Sequence, residues 1–195
     1  GRVGALDLEF YSGNHITSKN GLLNKVYNGD FELLYLMAAD EIDFKKIPKS
    51  TYIVYHGHHG DEGAQNADLI IPMTCFTEKE GIFVNIEGRP QISAKVRSAL
   101  SGVDDAWQFF DKLSSYLNIK LKFESFERLR AKMFDHYPLL RNIDRIQKNR
   151  FVKPRKLNGK FFDEPLASNI NNFYMTDSVS RHSNVMAECT RIFNK

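Results

Sequence analysis

Three uninterrupted apolar runs organise the first half of the chain: "FELLYLMAAD" (31–40), "TYIVYHG" (51–57) and "ADLIIP" (67–72). Each stops at a polar or glycine-bearing loop. Continuous runs of this length, as opposed to alternating ones, suit strands buried on both faces, the situation of a parallel sheet covered by helices. Pro48 and Pro72 mark boundaries, because proline disrupts both ladders and helix interiors. The stretch "GIFVNIEGRPQISAKV" (81–96) reads as two strand-like pieces around a tight turn at Glu87-Gly88-Arg89. Asn85, Glu87 and Arg89 are expected to stabilise that turn and to do no chemistry. Beyond residue 100 the period becomes helical. Asp104 is expected to cap a helix in which Trp107, Phe110, Leu113 and Leu117 recur on one face, and Ser125 to cap "FERLRAKMFDHY", which stops at Pro138. A basic, irregular stretch follows (141–160). Asp177 then opens a last helix with Val179, His182, Met186, Cys189 and Phe193 on one stripe. The patterns predict a mostly parallel α/β segment over 1–120 and a helical and extended C-terminal region over 121–195.

Composition narrows the class. The chain has 195 residues, 42% hydrophobic and 26% charged, enough for one sizeable core. A net charge of +3 is too slight to argue for nucleic acid. No apolar stretch approaches the roughly 20 residues of a bilayer-spanning helix, so no direct membrane span is expected. Cys75 and Cys189 lie far apart and form no CxxC pair. A disulfide framework is therefore not expected, and a reducing compartment is the default. The opening "GRVGALDLEF" lacks an initiator Met and reads as the middle of something, so a processed, separately encoded or truncated chain is expected.

Candidate chemistry concentrates in "HGHHGD", with His56, His58, His59 and Asp61 in six positions. The cluster superficially resembles the His-x-His-x-Asp-His loop of metallo-β-lactamase-like hydrolases, but its order is His-x-His-His-x-Asp. Adjacent residues such as His58 and His59 point opposite ways in an extended chain. The other histidines, His15, His136 and His182, stand in no ligand motif. The competing reading is a loop at the carboxyl end of a parallel strand, with Gly57, Gly60 and Gly63 permitting sharp bends. Open α/β sheets bind ligands at that place. No GxSxG, Walker loop or GxGxxG in a strand-turn-helix setting is found. Glu78, Glu80 and Glu87 are unpaired as acid/base candidates. Cys75 reads better as a small buried hydrophobe than as a reactive thiol. The segment Arg141–Lys160, with Phe151, Phe161 and Phe162, reads better as a solvated or protein-docking face than as a phosphate grip.

Taken together, residues 52–91 carry a resemblance. The C-terminal part of the large iron–sulfur subunit of respiratory complex I has the approximate pattern Gly-His-His-Gly-Asp, Ala-Asp-x-Ile-Leu-Pro, Thr-Glu-Lys, Val-Asn-x-Glu-Gly-Arg-x-Gln. This chain supplies Gly57-His58-His59-Gly60-Asp61, Ala67-Asp68, Ile71-Pro72, Thr77-Glu78-Lys79, Val84-Asn85, Glu87-Gly88-Arg89 and Gln91. "VGALDLEF" and "NFYMTDSVSRHSNVMAECT" (172–190) extend the resemblance over nearly the whole chain. His56 stands where that family commonly has Gln, which makes the third histidine incidental. Met73-Thr74-Cys75-Phe76 stands where it has Gly-Ala-Ala-Tyr, and the usual Pro-Pro-Gly is missing between Arg89 and Trp107.

The resemblance implies the C-terminal portion of a molybdopterin-oxidoreductase-like domain that has lost its cofactor. It further implies a scaffold in the NADH-oxidising peripheral arm, on the matrix side of the mitochondrial inner membrane. The iron–sulfur clusters would lie in the upstream part of the subunit, and two distant cysteines here cannot hold one of the four-thiolate kind. The partners implied are that upstream part and other peripheral-arm subunits. No catalytic, cofactor-binding or metal residue is expected, and "HGHHGD" becomes a relic loop whose imidazoles hydrogen-bond within the fold. The alternatives are a cofactor-binding molybdopterin oxidoreductase fragment and a stand-alone metal hydrolase using His56–Asp61.

Overall fold

The computed structural model describes residues 2–10, 21–119, 121–146 and 170–194. They fall into two compact units: Gly1–His58 with Glu62–Lys148, and His59–Asp61 with Asn149–Lys195. The helix Phe126–His136, which the change of period assigned to the C-terminal region, lies in the first unit.

The first unit is built on a parallel sheet in the order β1 (Leu33–Met37), β2 (Tyr52–Gly57), β3 (Leu69–Pro72). The register sets Tyr35 opposite Val54 and places His56 between Met37 and Ile71. The α/β class with helices flanking a parallel sheet is therefore observed. Burial on both faces, expected of all three runs, holds for β2 alone. Ile53 to Gly57 are buried, whereas Leu33, Met37, Leu69 and Ile70 remain largely exposed. The reason is position: β2 has a neighbour on each side, and β1 and β3 each have one among the described residues.

Period-2 alternation sends the side chains of β2 to two different layers. Ile53 and Tyr55 join Leu36 of β1, Val26 of α2 (Leu22–Asn28) and Ile47 in the buried core, with Phe31, Ile42 and Phe44 packed against it. Val54 and His56 face the other way. There His56 meets Phe109 and Phe110 of the helix Ala106–Tyr116. A short helix α3 (Glu62–Gln65) leads to β3, and the antiparallel pair β4 (Gly81–Val84) and β5 (Pro90–Ser93) follows. The helices Ala106–Tyr116 and Phe126–His136 become α4 and α5, and α1 (Arg2–Asp7) opens the chain.

One cap assignment changes. The residue preceding α4 is Asp105, not Asp104. The Asp105 N–H donates to Gln108 Oε1 at 3.0 Å, while Asp104 is engaged by Lys112 Nζ at 2.5 Å. Leu117, expected on the inner stripe, sits past the helix end and is 59% exposed. Ser125 caps α5 as expected, accepting from Arg128 N–H.

In the second unit, Asp177 caps as expected, but the helix it opens ends at Arg181. This is α6 (Ser178–Arg181); Ser183 then accepts from Met186 N–H and caps α7 (Asn184–Phe193). A second good cap inside the apolar stripe breaks what the periodicity read as one helix. Phe193, placed on the inner stripe, is 66% exposed. Most of the basic stretch 141–160 lies outside the described residues. No helix among those described is long and apolar enough to cross a membrane.

Candidate functional site

The "HGHHGD" run begins as the last residues of β2. Its first histidine is a core residue. His56 is 0% exposed. Its Nδ1 lies 2.7 Å from Tyr35 Oη across the β1–β2 pairing, and its ring meets Phe109 at 4.8 Å and Phe110 at 6.1 Å between centroids. Nε2 finds no hydrogen-bond partner among the described residues. Burial, aided by the positive charge of Lys79, pushes the His56 pKa below the usual imidazole range, so the ring is held neutral.

The glycines serve Tyr55, not bends. A Cβ on Gly57 would fall 2.4 Å from the Tyr55 ring, and one on Gly63 would fall 2.5 Å from it; Tyr55 is 2% exposed. The ring fills the space that two missing side chains leave. Gly60 has nothing within 4 Å of the same position. Left-handed backbone at a glycine is found instead at Gly29, Gly88 and Gly102.

Asp68, from the Ala-Asp of the motif, extends the parallel ladder. Its Oδ2 accepts from Ile53 N–H at 2.7 Å while its own N–H donates to the Ile53 carbonyl at 2.8 Å. Thr74, 1% exposed, donates to Asp105 Oδ1 at 2.7 Å and so joins the segment after β3 to the start of α4. That contact seats Phe109 and Phe110 over His56.

Residues His59–Asp61 of the loop belong to the second unit, His58 to the first. Asp61 Oδ2 is paired with Arg181 Nε, with the side chains 16% and 26% exposed, and the rings of His59 and His182 lie 5.3 Å apart. His182 Nδ1 sits 2.7 Å from the Ser178 carbonyl. Among the described residues no group of three or more His, Cys, Asp or Glu side chains is placed to hold a metal ion.

The other candidates are scattered. Glu78 Oε2 accepts from Cys75 N–H at 3.1 Å, and its Oε1 lies 3.7 Å from Arg97 Nε. The turn residues behave as expected of a turn. Asn85 Oδ1 accepts from the N–H groups of Glu87 and Arg89, both at 3.0 Å, Arg89 approaches Glu87 at 3.6 Å, and Gly88 takes φ +80°. Glu80 is exposed, and Cys75 and Cys189 are half-buried free thiols. His136 Nδ1 lies 2.9 Å from the Lys132 carbonyl on an exposed surface. His15, Phe151, Phe161 and Phe162 lie outside the described residues. Tyr35, Phe109, Thr74 and Arg181 were not singled out from the sequence. Each acts through a partner at least 21 positions away, which no local pattern reveals.

A strand-end loop of this kind, on a parallel sheet layered between helices, is the setting of nucleotide- and cofactor-binding α/β folds. The family model of molybdopterin oxidoreductase matches residues 1–116, and that of the C-terminal region of the NADH-ubiquinone oxidoreductase G subunit matches 146–189. The chain belongs to the molybdopterin oxidoreductase family. Within it, the chain is similar to the G subunit of the NADH-quinone oxidoreductase of Rickettsia prowazekii (strain Madrid E), 40% identical over 81% of this chain and 23% of that protein. It is also similar to the mitochondrial NADH-ubiquinone oxidoreductase 78 kDa subunit of Candida albicans, 38% identical over 98% of this chain and 26% of that protein. The NADH-ubiquinone oxidoreductase 75 kDa subunit of Reclinomonas americana is 36% identical over 98% of this chain and 27% of its own length. The chain thus spans about a quarter of the length of the curated relatives it matches.

Proposed function

We propose that this chain is a non-catalytic, structural segment of the peripheral arm of respiratory complex I, on the matrix side of the mitochondrial inner membrane. Electron transfer from NADH to ubiquinone then runs through clusters outside it, and its partners are the upstream iron–sulfur part of the same subunit and other peripheral-arm subunits. The observation that carries this reading is the similarity to complex I subunits along 98% of the chain. Mitochondrial relatives and the Thr176-Asp177-Ser178 stretch in its C-terminal motif support the mitochondrial setting.

The packing around Gly57, Gly63 and His56 supports a segment without the family's pterin. A glycine loop that cradles phosphate leaves its backbone open to the ligand. Here the space beside Gly57 and Gly63 is filled by Tyr55, and His56 is enclosed by Tyr35, Phe109 and Phe110.

Two measurements on the assembled complex test the proposal. Elemental analysis, after accounting for iron–sulfur iron, is expected to find no stoichiometric zinc or molybdenum that depends on His58 and His59. Turnover per assembled complex is expected to survive replacing both by Ala. Stoichiometric metal lost in that double variant, or full assembly with collapsed turnover, overturns the reading in favour of a cofactor-binding oxidoreductase or a metal hydrolase.

A further inference from the structure

Two motifs, 120 residues apart, meet in the second unit. From the loop come His59 and Asp61. From the C-terminal segment come Arg181 and His182, the end of the Thr-Asp-Ser-x-Ser-Arg stretch and the residue after it. The C-terminal pair is presented on a stiff turn. Asp177 accepts from the N–H groups of Val179 at 2.8 Å and Ser180 at 3.0 Å, and Ser180 Oγ accepts from the Asp177 N–H at 3.1 Å. His182 is steadied by the contact of its Nδ1 with the Ser178 carbonyl. The single turn of α6 thus delivers two adjacent side chains to two loop residues two positions apart: Arg181 to Asp61, and the ring of His182 to the ring of His59 at 5.3 Å. Both members of the ion pair are largely withdrawn from water, at 16% and 26% exposure. Screening is weaker there than for a surface pair, and an unmatched charge is costly.

The geometry points to the "HGD" part of the loop, residues 59–61, being the docking seat for the chain's own C-terminal segment. Arg181 is the plug, and the His59–His182 contact is its lateral guide. A loop that reads as ligand-binding in sequence is occupied from within the chain. Its carboxylate is neutralised by an internal guanidinium, not held open for a cation. Arginine suits the role because its charge is permanent and its planar fork orients against a carboxylate, which a lysine ammonium does not do. The contact lies inside the chain, and its test reads local protection and not turnover, so it stands or falls independently of the complex I reading.

The test is a charge swap in the full chain, in whatever assembly it is isolated with, read by backbone amide exchange. Asp61→Arg and Arg181→Asp each place like charges in the seat. Each is expected to speed exchange across residues 178–193 about tenfold, the scale of a lost partner at a sheltered polar group. Exchange in β2, 53–57, should be unchanged. The double variant Asp61→Arg/Arg181→Asp is expected to restore most of the protection. Arg181→Lys, which keeps the charge and loses the fork, is expected to fall between wild type and the single swaps. Unchanged protection of 178–193 in both single variants overturns the assignment. So does a double variant as exposed as the singles, whether or not β2 is disturbed.

Discussion

At the level of single residues, the same six-letter run holds side chains with opposite duties. His56 is a packing residue that carries a titratable nitrogen. Burial depresses its pKa, so between the folded value and the ordinary value near 6.5 the unfolded chain binds more protons than the folded one. The stability that depends on a neutral ring is therefore present above about pH 6.5 and is lost as pH falls from there through the folded pKa. Comparison of unfolding midpoints for wild type and His56→Phe across roughly pH 4.5 to 7.5 is expected to show a shallower acid-side decline in the variant. Equal slopes would remove His56 from the acid response. Gly57 and Gly63 make a second residue-level case. Gly57→Ala and Gly63→Ala each force a methyl into the Tyr55 ring and are expected to destabilise by ~1–3 kcal/mol, the range of overpacked cores. Gly60→Ala, in open space, should stay close to wild type in a denaturant melt.

Caps and cross-links decide whether the elements hold. Helix α4 is fastened at its start by the bond from Thr74 to Asp105 and by the Gln108 side chain. Thr74→Val keeps the shape and removes the donor. It is expected to cost about 1–2 kcal/mol, and to loosen Phe109 and Phe110 against His56, visible as altered aromatic chemical shifts. Helix α6 depends on Asp177, whose carboxyl is held below the usual range chiefly by the Ser180 N–H, with further help from the Ser180 hydroxyl and the Val179 N–H against the opposing effect of burial. The sign is opposite to that of a raised pKa. The cap contributes above the ordinary carboxylate value, and its contribution is lost as pH falls through the lowered one. Asp177→Ala is expected to cost about 1 kcal/mol, the usual scale for an N-cap. Amide exchange should locate the loss in 178–182, with β2 unaffected.

On the scale of the whole molecule, a sheet with one central strand leaves much apolar surface at its margins. Leu33 (57% exposed) and Met37 (46%) on β1, and Leu69 (45%) and Ile70 (54%) on β3, lie on edge strands among the described residues. Exposed edges of this kind invite mispairing. Expressed by itself, the chain is expected to aggregate or to melt broadly. Under the complex I proposal, co-expression with the upstream part of the subunit should restore a soluble product. A soluble isolated monomer with one sharp thermal transition would contradict this expectation.

What the sequence by itself determined is what short-range chemistry controls. Continuous apolar runs bounded by proline and polar loops located β1, β2 and β3, because a strand carries its own pattern. Glu87, Gly88 and Arg89 located the hairpin, because a tight turn is closed by its own residues. Ser125 and Asp177 located helix starts, because a cap acts on the next turn. Motif order reached the family without any coordinates. Tertiary structure decided the rest. Only β2 is buried over most of its length, from Ile53 to Gly57, because burial depends on neighbours and not on composition. Asp104 lost the cap to Asp105, with Lys112 on the first carboxylate and Thr74 on the second. Gly57 and Gly63 could be read as bends until the Tyr55 ring was seen to occupy the space of their missing side chains. The histidines of the loop, equivalent as letters, parted company: His56 went into an aromatic core, and His59 joined a contact with His182. Side-chain direction and long-range partners assign such roles, and neither is written in local spacing.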